Sequence, residues 1–273
     1  RVTNLQGNQV NSDPITINVR QPDPLNQNTD FVYQTFIDLI LRSPTIEERN
    51  FYTNRIESSG LTRDRFIREL INPADGQAES EYDAVRSVLL ANRFLLDQWP
   101  TRAEVEQDTS TVRDGGLLAL VASLMVEFEP LYAQATGAPG LPDVFASNAQ
   151  VDAYVQYLFN RKYGVNPTAA QANLARLHFK AGGRDSFTAS FISDVEVVAT
   201  SSSYVTIGLG FQFSLNNPPD DSFLREADAA SLLINLLRII PSNEEVTAMA
   251  QKLFATQVAE VLADPRYAAR LAT

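Results

Sequence analysis

The stretch Pro44-Thr45-Ile46-Glu47-Glu48 sets the pattern of this chain, because three variants of it follow. They are Pro100-Thr101-Arg102-Ala103-Glu104, Pro167-Thr168-Ala169-Ala170-Gln171 and Pro241-Ser242-Asn243-Glu244-Glu245. Each has a proline, then Thr or Ser, then Glu or Gln three residues later. In a capping box the hydroxyl accepts a hydrogen bond from the N3 amide, and the N3 side chain accepts one from the N-cap amide. Each stretch therefore predicts the start of a helix, and its proline predicts the end of the preceding one.

These four sites, named corners below, predict a repeated helical unit. Only four of the 14 prolines are followed by Ser or Thr, and all four complete the box. The predicted corner residues are Pro44, Thr45, Glu48, Pro100, Thr101, Glu104, Pro167, Thr168, Gln171, Pro241, Ser242 and Glu245. We expect a mainly α fold of four pseudo-repeats with about three helices each. Such short units pack on one another because none can bury its apolar faces alone.

Apolar periodicity and glycines place the helices between the corners. Asp30 is the expected N-cap of the first helix. Helix breaks are expected at Gly60, at Gly115-Gly116 and at Gly182-Gly183. In the third and fourth units the predicted inward-facing residues include Leu174, Leu177, Val246, Met249, Leu253 and Phe254.

The domain organisation follows from composition shifts along the chain. Residues 1–24 are expected to form a β arm, with a disordered arm as the alternative. Residues 25–133 hold the first two units. Residues 134–148, with two glycines and two prolines, read as a linker. Residues 149–273 hold the last two units, with a β insertion at 203–215.

Two segments alternate with the period of a β-strand. Candidate assembly strands are formed by Ile15, Ile17 and Val19, and by Val205, Ile207, Leu209, Phe211 and Phe213. A lone strand leaves backbone groups unpaired. The second segment is therefore expected either to fold into a hairpin turning at Gly208-Leu209-Gly210, or to pair with residues 15–19 or with a neighbouring molecule.

Composition excludes several classes of function. The net charge is −11 and the pI about 4.6, which disfavours nucleic-acid binding. The absence of cysteine excludes thiolate catalysis and zinc–cysteine sites. The longest apolar run, about Leu117 to Val126, is shorter than a membrane span, so no span is expected. Because the chain starts at Arg1, we expect a processed protein or a piece of a longer one.

Two stretches match one repeat pattern: FVYQTFIDLILRSP…IESSGLTRDRFIRELIN with Arg42 at the turn, and YVQYLFNRKYGVNP…KAGGRDSFTASFISDVEV with Arg161. The fourth unit matches in part, through Arg238 and LADPRY. These units resemble the bacterial helical repeat named domain of unknown function 4214. Upstream, VTNLQGNQVNSDPITINVRQPDP is similar to the end of bacterial immunoglobulin-like repeats, which implies that residues 1–24 are the end of an immunoglobulin-like domain. The resemblance implies a secreted or cell-surface protein, S-layer-like, and implies no catalytic residues. The usual Asp-x-x-Gly after the turn proline is missing at all four corners.

Chemistry-bearing residues do not form a recognisable constellation in the sequence. His178 is the only histidine, so a Ser–His–Asp triad or a zinc site is not expected. Glu47-Glu48 and Glu244-Glu245 stand in first helical turns, where the helix dipole favours them. No cofactor is expected, with calcium as the open possibility at Asp75-Gly76…Glu79…Glu81 or at Asn217…Asp220-Asp221. Arg42, Arg161 and Arg238 are expected to bind helix-end carbonyls or a carboxylate.

Three functions are compatible with these features. The first is a non-catalytic structural or assembly domain of a bacterial extracellular protein that self-associates or binds other cell-surface proteins. The second is a carbohydrate-binding or adhesion module for surface polysaccharide, with stacking surfaces from Tyr33, Tyr52, Trp99, Tyr132, Tyr154 and Tyr163. The third, a hydrolase, requires two carboxylates in one pocket with at least one raised pKa. We expect no enzymatic activity.

Overall fold

The computed structural model describes residues 2–3, 9–10, 27–71, 81–193, 197–199, 204–207, 209, 211–214 and 222–271. The first half contains α1 (Asn28–Thr35) with a π-helical turn (Phe36–Ile40), α2 (Ile46–Ser58), α3 (Arg63–Ile71), α4 (Tyr82–Leu96) and α5 (Arg102–Thr136). The second half contains α6 (Asn148–Tyr163), α7 (Ala169–Gly182), α8 (Arg184–Ser193), α9 (Ser222–Ser231) with a π-helical turn (Leu232–Leu236), α10 (Asn243–Ala250), α11 (Phe254–Ala263) and α12 (Pro265–Leu271). The prediction of a mainly α fold is confirmed.

A capping box forms at each of the four corners. The hydroxyls of Thr45, Thr101, Thr168 and Ser242 accept hydrogen bonds of 3.1–3.3 Å from the N3 amides. The N3 side chains accept 2.6–2.8 Å bonds from the N-cap amides in return. Each box satisfies two amides that a helix start leaves without a partner. These bonds fix the first turns of α2, α5, α7 and α10.

Each corner also contains a left-handed residue three positions before its proline. These residues are Leu41 (φ 61°), Asp97 (φ 58°), Gly164 (φ 67°) and Arg238 (φ 60°). A left-handed residue at this position ends the preceding helix and turns the chain toward the next one. At three corners the residue has a side chain, so the backbone carries strain that packing must offset.

The distance from a corner to the next glycine with positive φ is the same in three cases. Gly60, Gly116 and Gly183 have positive φ, and each stands fifteen residues after the capping threonine of its corner. These glycines lie within the three predicted breaks. Gly116 (φ 73°, ψ 175°) is non-helical, so the range named α5 consists of two helices that meet at a kink. The fourth corner differs, because α10 ends at Ala250 and α11 starts at Phe254.

The core of the described chain is organised around α4. This helix packs most extensively on α5 and also contacts α3, α8 and α9. Ten of its fifteen residues are buried, as expected for a helix covered on several sides. Further contacts join α3 to α11 and α5 to α8. The helices of residues 25–133 and of residues 149–273 therefore share one core.

The described strands form two small sheets. β1 (Val2–Thr3) pairs antiparallel with β2 (Gln9–Val10). In the second sheet β4 (Tyr204–Ile207) lies between β3 (Val197–Ala199) and β5 (Phe211–Ser214), with antiparallel pairing on both sides. Phe211 is buried, and its ring centroid lies 4.9 Å from that of Phe159, which attaches β5 to α6.

This sheet agrees with the hairpin alternative for residues 203–215, because β4 pairs with β5 of the same chain, and it disagrees with the alternative in which β4 pairs with a neighbouring molecule. Val205 and Ile207 have backbone partners on both sides within their own chain, so β4 offers no edge to a neighbouring molecule. Among the described strands, β3 and β5 form the outer edges, and Phe213 pairs with Val205 at one of them. The candidate strand of Ile15, Ile17 and Val19 lies outside the described residues.

Four helix details differ from the sequence predictions. Asp30 is not an N-cap, because α1 begins at Asn28 after Gln27. Leu177 and Leu253 are 69% and 81% exposed, since Ala175 and Phe179 supply the buried face of α7 and Leu253 ends a loop. A further capping box at Ser147 starts α6 without a preceding proline.

The segment predicted as a linker, 134–148, is divided between helix and loop. α5 continues to Thr136 and ends at the left-handed Gly137. The following loop is attached to α7 through Lys180, whose Nζ donates to the carbonyls of Val144 (2.7 Å) and Ala146 (2.5 Å).

Candidate functional site

Arginines from distant parts of the chain surround the carboxylate of Asp38, in the π-helical turn after α1. Asp38 is fully buried. It accepts bonds of 2.8 and 2.7 Å from the two Nη atoms of Arg270 and one of 2.9 Å from Nη2 of Arg238. Gln34 Nε2 adds a 3.0 Å bond. Such charge-assisted bonds offset the cost of burying a carboxylate, and here they join α1 to α12 and to the fourth corner.

Arg102, at the start of α5, connects this cluster to the second corner. Its Nη1 donates to the main-chain oxygen of Asp38 and, at 2.6 Å, to Oδ1 of Asn235. Its Nη2 donates a 3.0 Å bond to the carbonyl of Ile37. The last carbonyls of a helix have no intrahelical donor, so Arg102 supplies it. The cluster is thus a structural tie between three corners.

Asp38 and Asn235 occupy equivalent places, six residues before Pro44 and Pro241 respectively. Both lie in π-helical turns, and the two turns are in contact. Sequence analysis missed both residues and the roles of Arg102 and Arg270, whereas Arg238 was expected to bind a carboxylate. The available signal was an acidic residue inside an apolar helical stripe, which indicates a buried charge that needs a partner.

Arg42 binds Glu48 of the first corner and also Glu81. Its Nη atoms donate to both carboxylate oxygens of Glu48 at 2.8 and 2.7 Å, and its Nη2 also donates to Glu81 at 2.9 Å. These bonds lower the pKa of the Glu48 carboxyl to about 2. Because Glu48 also closes the capping box, it is held in a structural role and is a poor proton donor at neutral pH.

Arg161 and Arg238, the arginines before the third and fourth corners, bind different kinds of partner. Arg238 binds the carboxylate of Asp38, as expected. Arg161 donates a 3.0 Å bond to the hydroxyl of Tyr157, and its guanidinium lies 3.7 Å from the carboxylate of Asp97 at the second corner.

A groove of about 850 Å³ opens between α3, α9, α10 and α11. Its lining combines positive, negative and apolar side chains. The lining residues are Arg68, Ile71, Ser222, Arg225, Glu226, Asp228, Thr247, Ala250, Gln251, Lys252, Leu253, Phe254 and Gln257. With three cationic and two acidic residues, the lining has a net charge opposite to that of the whole chain. Its volume is within the range of ligand-binding pockets.

An exposed apolar face runs along the second part of α5, and we name it the α5 stripe. It consists of Leu118, Ala122, Val126 and Pro130, at helical spacing. Leu118 is 47% exposed and Val126 is 77% exposed. By length and composition α5 is apolar enough to cross a membrane. About a third of its most apolar 18-residue segment is buried within the fold. The opposite face packs in the core through Leu120, Leu124 and Phe128, among others.

The predicted stacking aromatics are mostly core residues. Trp99, Tyr132, Tyr154 and Tyr163 are at most 7% exposed, so they have no free ring face for a sugar. Tyr33 is 42% exposed. The carbohydrate hypothesis therefore loses most of the residues on which it was based.

The candidate calcium stretches at residues 75–79 and 217–221 lie outside the described residues. Glu81, the end of the first stretch, binds Arg42. In the part of the chain that the structure describes, no group of three or more His, Asp or Glu residues is arranged to hold a metal ion.

Comparison with known protein families, with curated proteins and with solved structures gives no significant match to this chain.

Proposed function

We propose that this chain is a non-catalytic structural domain that assembles with copies of itself through the α5 stripe. The observation that carries the proposal is the exposed apolar face of α5. A soluble domain rarely leaves a continuous apolar face exposed unless another molecule covers it. The cluster at Asp38 supports a rigid body, since it ties three corners together.

A second copy fits the shape of the stripe. Ala122, the small residue at its middle, allows two helices to approach closely. In an antiparallel pair, Leu118 of one copy lies opposite Val126 of the other, and the same contact recurs across the twofold axis. The stripe extends about 18 Å from Leu118 to Pro130, at 1.5 Å per residue.

Charge favours a protein partner over a bilayer. No charged residue stands between Gly116 and Val126, so two stripes meet without repulsion at their centre. The whole chain has a net charge of −11, which opposes approach to an anionic membrane surface. A membrane span is therefore not part of the proposal.

The proposal includes four pseudo-repeats of about three helices. It is supported by the shared corner geometry and by the constant spacing to Gly60, Gly116 and Gly183. A location outside the cell or at the bacterial cell surface is also proposed, and it rests on the sequence resemblance to surface-layer repeats. Anchoring to other surface proteins is the variant of this function in which the partner is not a second copy.

The test is sedimentation equilibrium of the full chain between 5 and 500 µM. A single helical stripe buries less than the roughly 800 Å² per partner of a standard interface, so we expect a dimer with a dissociation constant of about 10–100 µM. Val126→Glu places a charge at the interface and should make the chain monomeric. Leu177→Glu is the matched control, because Leu177 is also an exposed apolar residue on a helix and lies outside the stripe.

The outcomes separate the alternatives. A monomer throughout the concentration range contradicts the proposal. A dimer that survives Val126→Glu but is lost on deletion of residues 1–24 would show that the β arm, and not the α5 stripe, mediates assembly. Binding of the monomer to vesicles of zwitterionic lipid, lost with Val126→Glu, would show that the stripe serves a membrane surface.

A further inference from the structure

One side of the groove between α3, α9, α10 and α11 is rich in hydrogen-bond donors. Arg68 projects from α3 with its guanidinium 5.6 Å from the ring centroid of Phe254, and it forms no ion pair within the described residues. Arg225 and Lys252 also line the groove; Nζ of Lys252 donates one bond of 2.5 Å to Glu260, and an ammonium group has three donors. The first turn of α11 forms part of the wall, and this helix starts at Phe254 without a side-chain cap. Uncapped amides and cations together favour a bound anion.

Gln257, in the first turns of α11, is a group in the lining that needs a hydrogen-bond donor from the ligand. This residue is 5% exposed, and its Nε2 donates a 2.9 Å bond to the carbonyl of Lys252, which fixes the orientation of the amide. Its Oε1 is buried with no hydrogen-bond partner. A buried acceptor without a donor costs about 1–3 kcal/mol. A ligand that brings a donor to Gln257 removes this cost.

Two carboxylates add further acceptors to the lining. Glu226 accepts a 2.9 Å bond from Thr247, and Asp228 accepts a 3.2 Å bond from Nε of Arg86 behind the groove. Each retains acceptor capacity, since a carboxylate has about four lone-pair sites. The groove thus needs a ligand with both an anionic group and several hydroxyl donors.

We propose that this groove binds an acidic sugar, a saccharide that carries a carboxylate. The carboxylate lies among Arg68, Lys252 and the start of α11. The hydroxyl groups donate to Gln257 and Glu226, and the half-buried ring of Phe254 contacts an apolar face of the sugar. Inorganic phosphate supplies few donors and leaves Gln257 unpaired. A peptide strand needs a sheet edge, whereas this groove is walled by helices.

This site is separate from the α5 stripe, and it goes beyond the proposed assembly function. It also differs from the predicted aromatic platforms, most of which are buried. In the groove, a saccharide is bound mainly by charged residues of the first and fourth units and not by a platform of aromatic rings.

The experiment measures amide chemical shifts of the full chain, labelled with ¹⁵N, during titration with D-glucuronate, D-glucose and acetate. We expect glucuronate to shift the amides of residues 252–257 with a dissociation constant of about 1–10 mM. Glucose and acetate, each with half of the required groups, should bind at least about tenfold more weakly.

Two variants and one control test which residues bind the carboxylate of the sugar and which bind its hydroxyl groups. Arg68→Gln should weaken both glucuronate and acetate about tenfold. Gln257→Met should weaken glucuronate about fivefold and leave acetate unchanged, because it removes the acceptor and keeps the charges. Arg65→Gln, an exposed arginine on the same helix outside the groove, is the matched control and should change neither.

Two results would contradict the proposal, one for the sugar and one for the site. Equal affinity for glucuronate and acetate would show a simple anion site and overturn the sugar assignment. Absence of shifts at residues 252–257, in a wild-type chain that gives a dispersed spectrum, would overturn the site itself. Thermal unfolding of each variant verifies that lost binding is not lost folding, and Arg225→Gln provides a second cationic variant if Arg68→Gln is unstable.

Discussion

Arg270 in the last described helix donates two hydrogen bonds to the carboxylate of Asp38 in the π-helical turn after α1, across 232 residues of sequence. Asp38 is fully buried, and the side chain of Arg270 is 16% exposed. The neighbouring Tyr267 is also buried, and burial raises the pKa of its hydroxyl to about 12. The contact holds α12 against the start of the fold, so distant parts of the chain unfold together.

Replacing Arg270 by Met should therefore destabilise the whole domain. The change leaves the buried carboxylate of Asp38 with one arginine fewer, and breaking a buried pair costs about 3–5 kcal/mol. Arg238 still binds Asp38, so we expect the lower end of that range. Urea unfolding followed by circular dichroism measures the change.

Arg266→Gln is the control for this prediction. Arg266 lies on the same helix and binds the carboxylate of Asp264 at 2.7 Å, but its side chain is 53% exposed. Exposed pairs contribute little, so the control should change stability by less than about 0.5 kcal/mol. If Arg270→Met costs no more than this control, Asp38 is not the tie described above.

The capping boxes give a second prediction, which concerns the corners. Thr45→Ala, Thr101→Ala and Thr168→Ala should each cost about 1 kcal/mol, because each removes the acceptor of an N3 amide. The three corners lie on different helices, so the triple variant should cost about the sum. Thr111→Ala, at a partly exposed position of α5 that caps no helix, is the matched control and should be nearly neutral. A cost confined to one corner would contradict their equivalence.

The corners also show how far the sequence determined this structure. Pro-Thr-x-x-Glu is a local signal, so the four boxes and the starts of α2, α5, α7 and α10 were predictable from the sequence. The left-handed Leu41 and Arg238 were not, because nothing local favours a positive φ in those residues and tertiary packing imposes it. The arginines that meet at Asp38 come from distant segments, and no periodicity indicates which pairs will meet. Gln257 and the groove were missed for the same reason.

Acid should weaken the first corner through Glu48. Its pKa in the folded chain is about 2, because Arg42 binds the ionised carboxylate, whereas an unfolded glutamate titrates near 4.3. A lowered folded pKa contributes stability at pH values above the unfolded pKa, and this contribution is lost as the pH falls from about 4.5 to 2. Since the side chain is 31% exposed, solvent screening reduces the effect to about 1 kcal/mol.

Glu48→Gln isolates this charge, because glutamine at N3 still closes a capping box. At pH 6 the variant should be about 1 kcal/mol less stable than the wild type, and the difference should shrink toward zero at pH 2. Guanidinium-free urea titrations at pH 6, 4, 3 and 2 measure it. A difference that stays constant with pH would mean that the Arg42–Glu48 contact is not electrostatic in origin.

Glycine should be required more strictly at Gly116 than at Gly164. Gly116 has φ 73° and ψ 175°, a region that is essentially limited to glycine, whereas Gly164 has φ 67° and ψ 10°, which asparagine tolerates. A Cβ at either position meets nothing within 4 Å, so any cost comes from the backbone alone. We expect Gly164→Ala to cost about 1–2 kcal/mol and Gly164→Asn less than half of that, because asparagine adopts the left-handed region more readily.

At Gly116 we expect both Gly116→Ala and Gly116→Asn to cost at least about 2 kcal/mol, without rescue by asparagine. Thermal unfolding of the four variants at one pH gives the comparison. If Gly116→Asn is as mild as Gly164→Asn, then α5 passes through an ordinary left-handed turn, and the sharp break that orients the α5 stripe is absent.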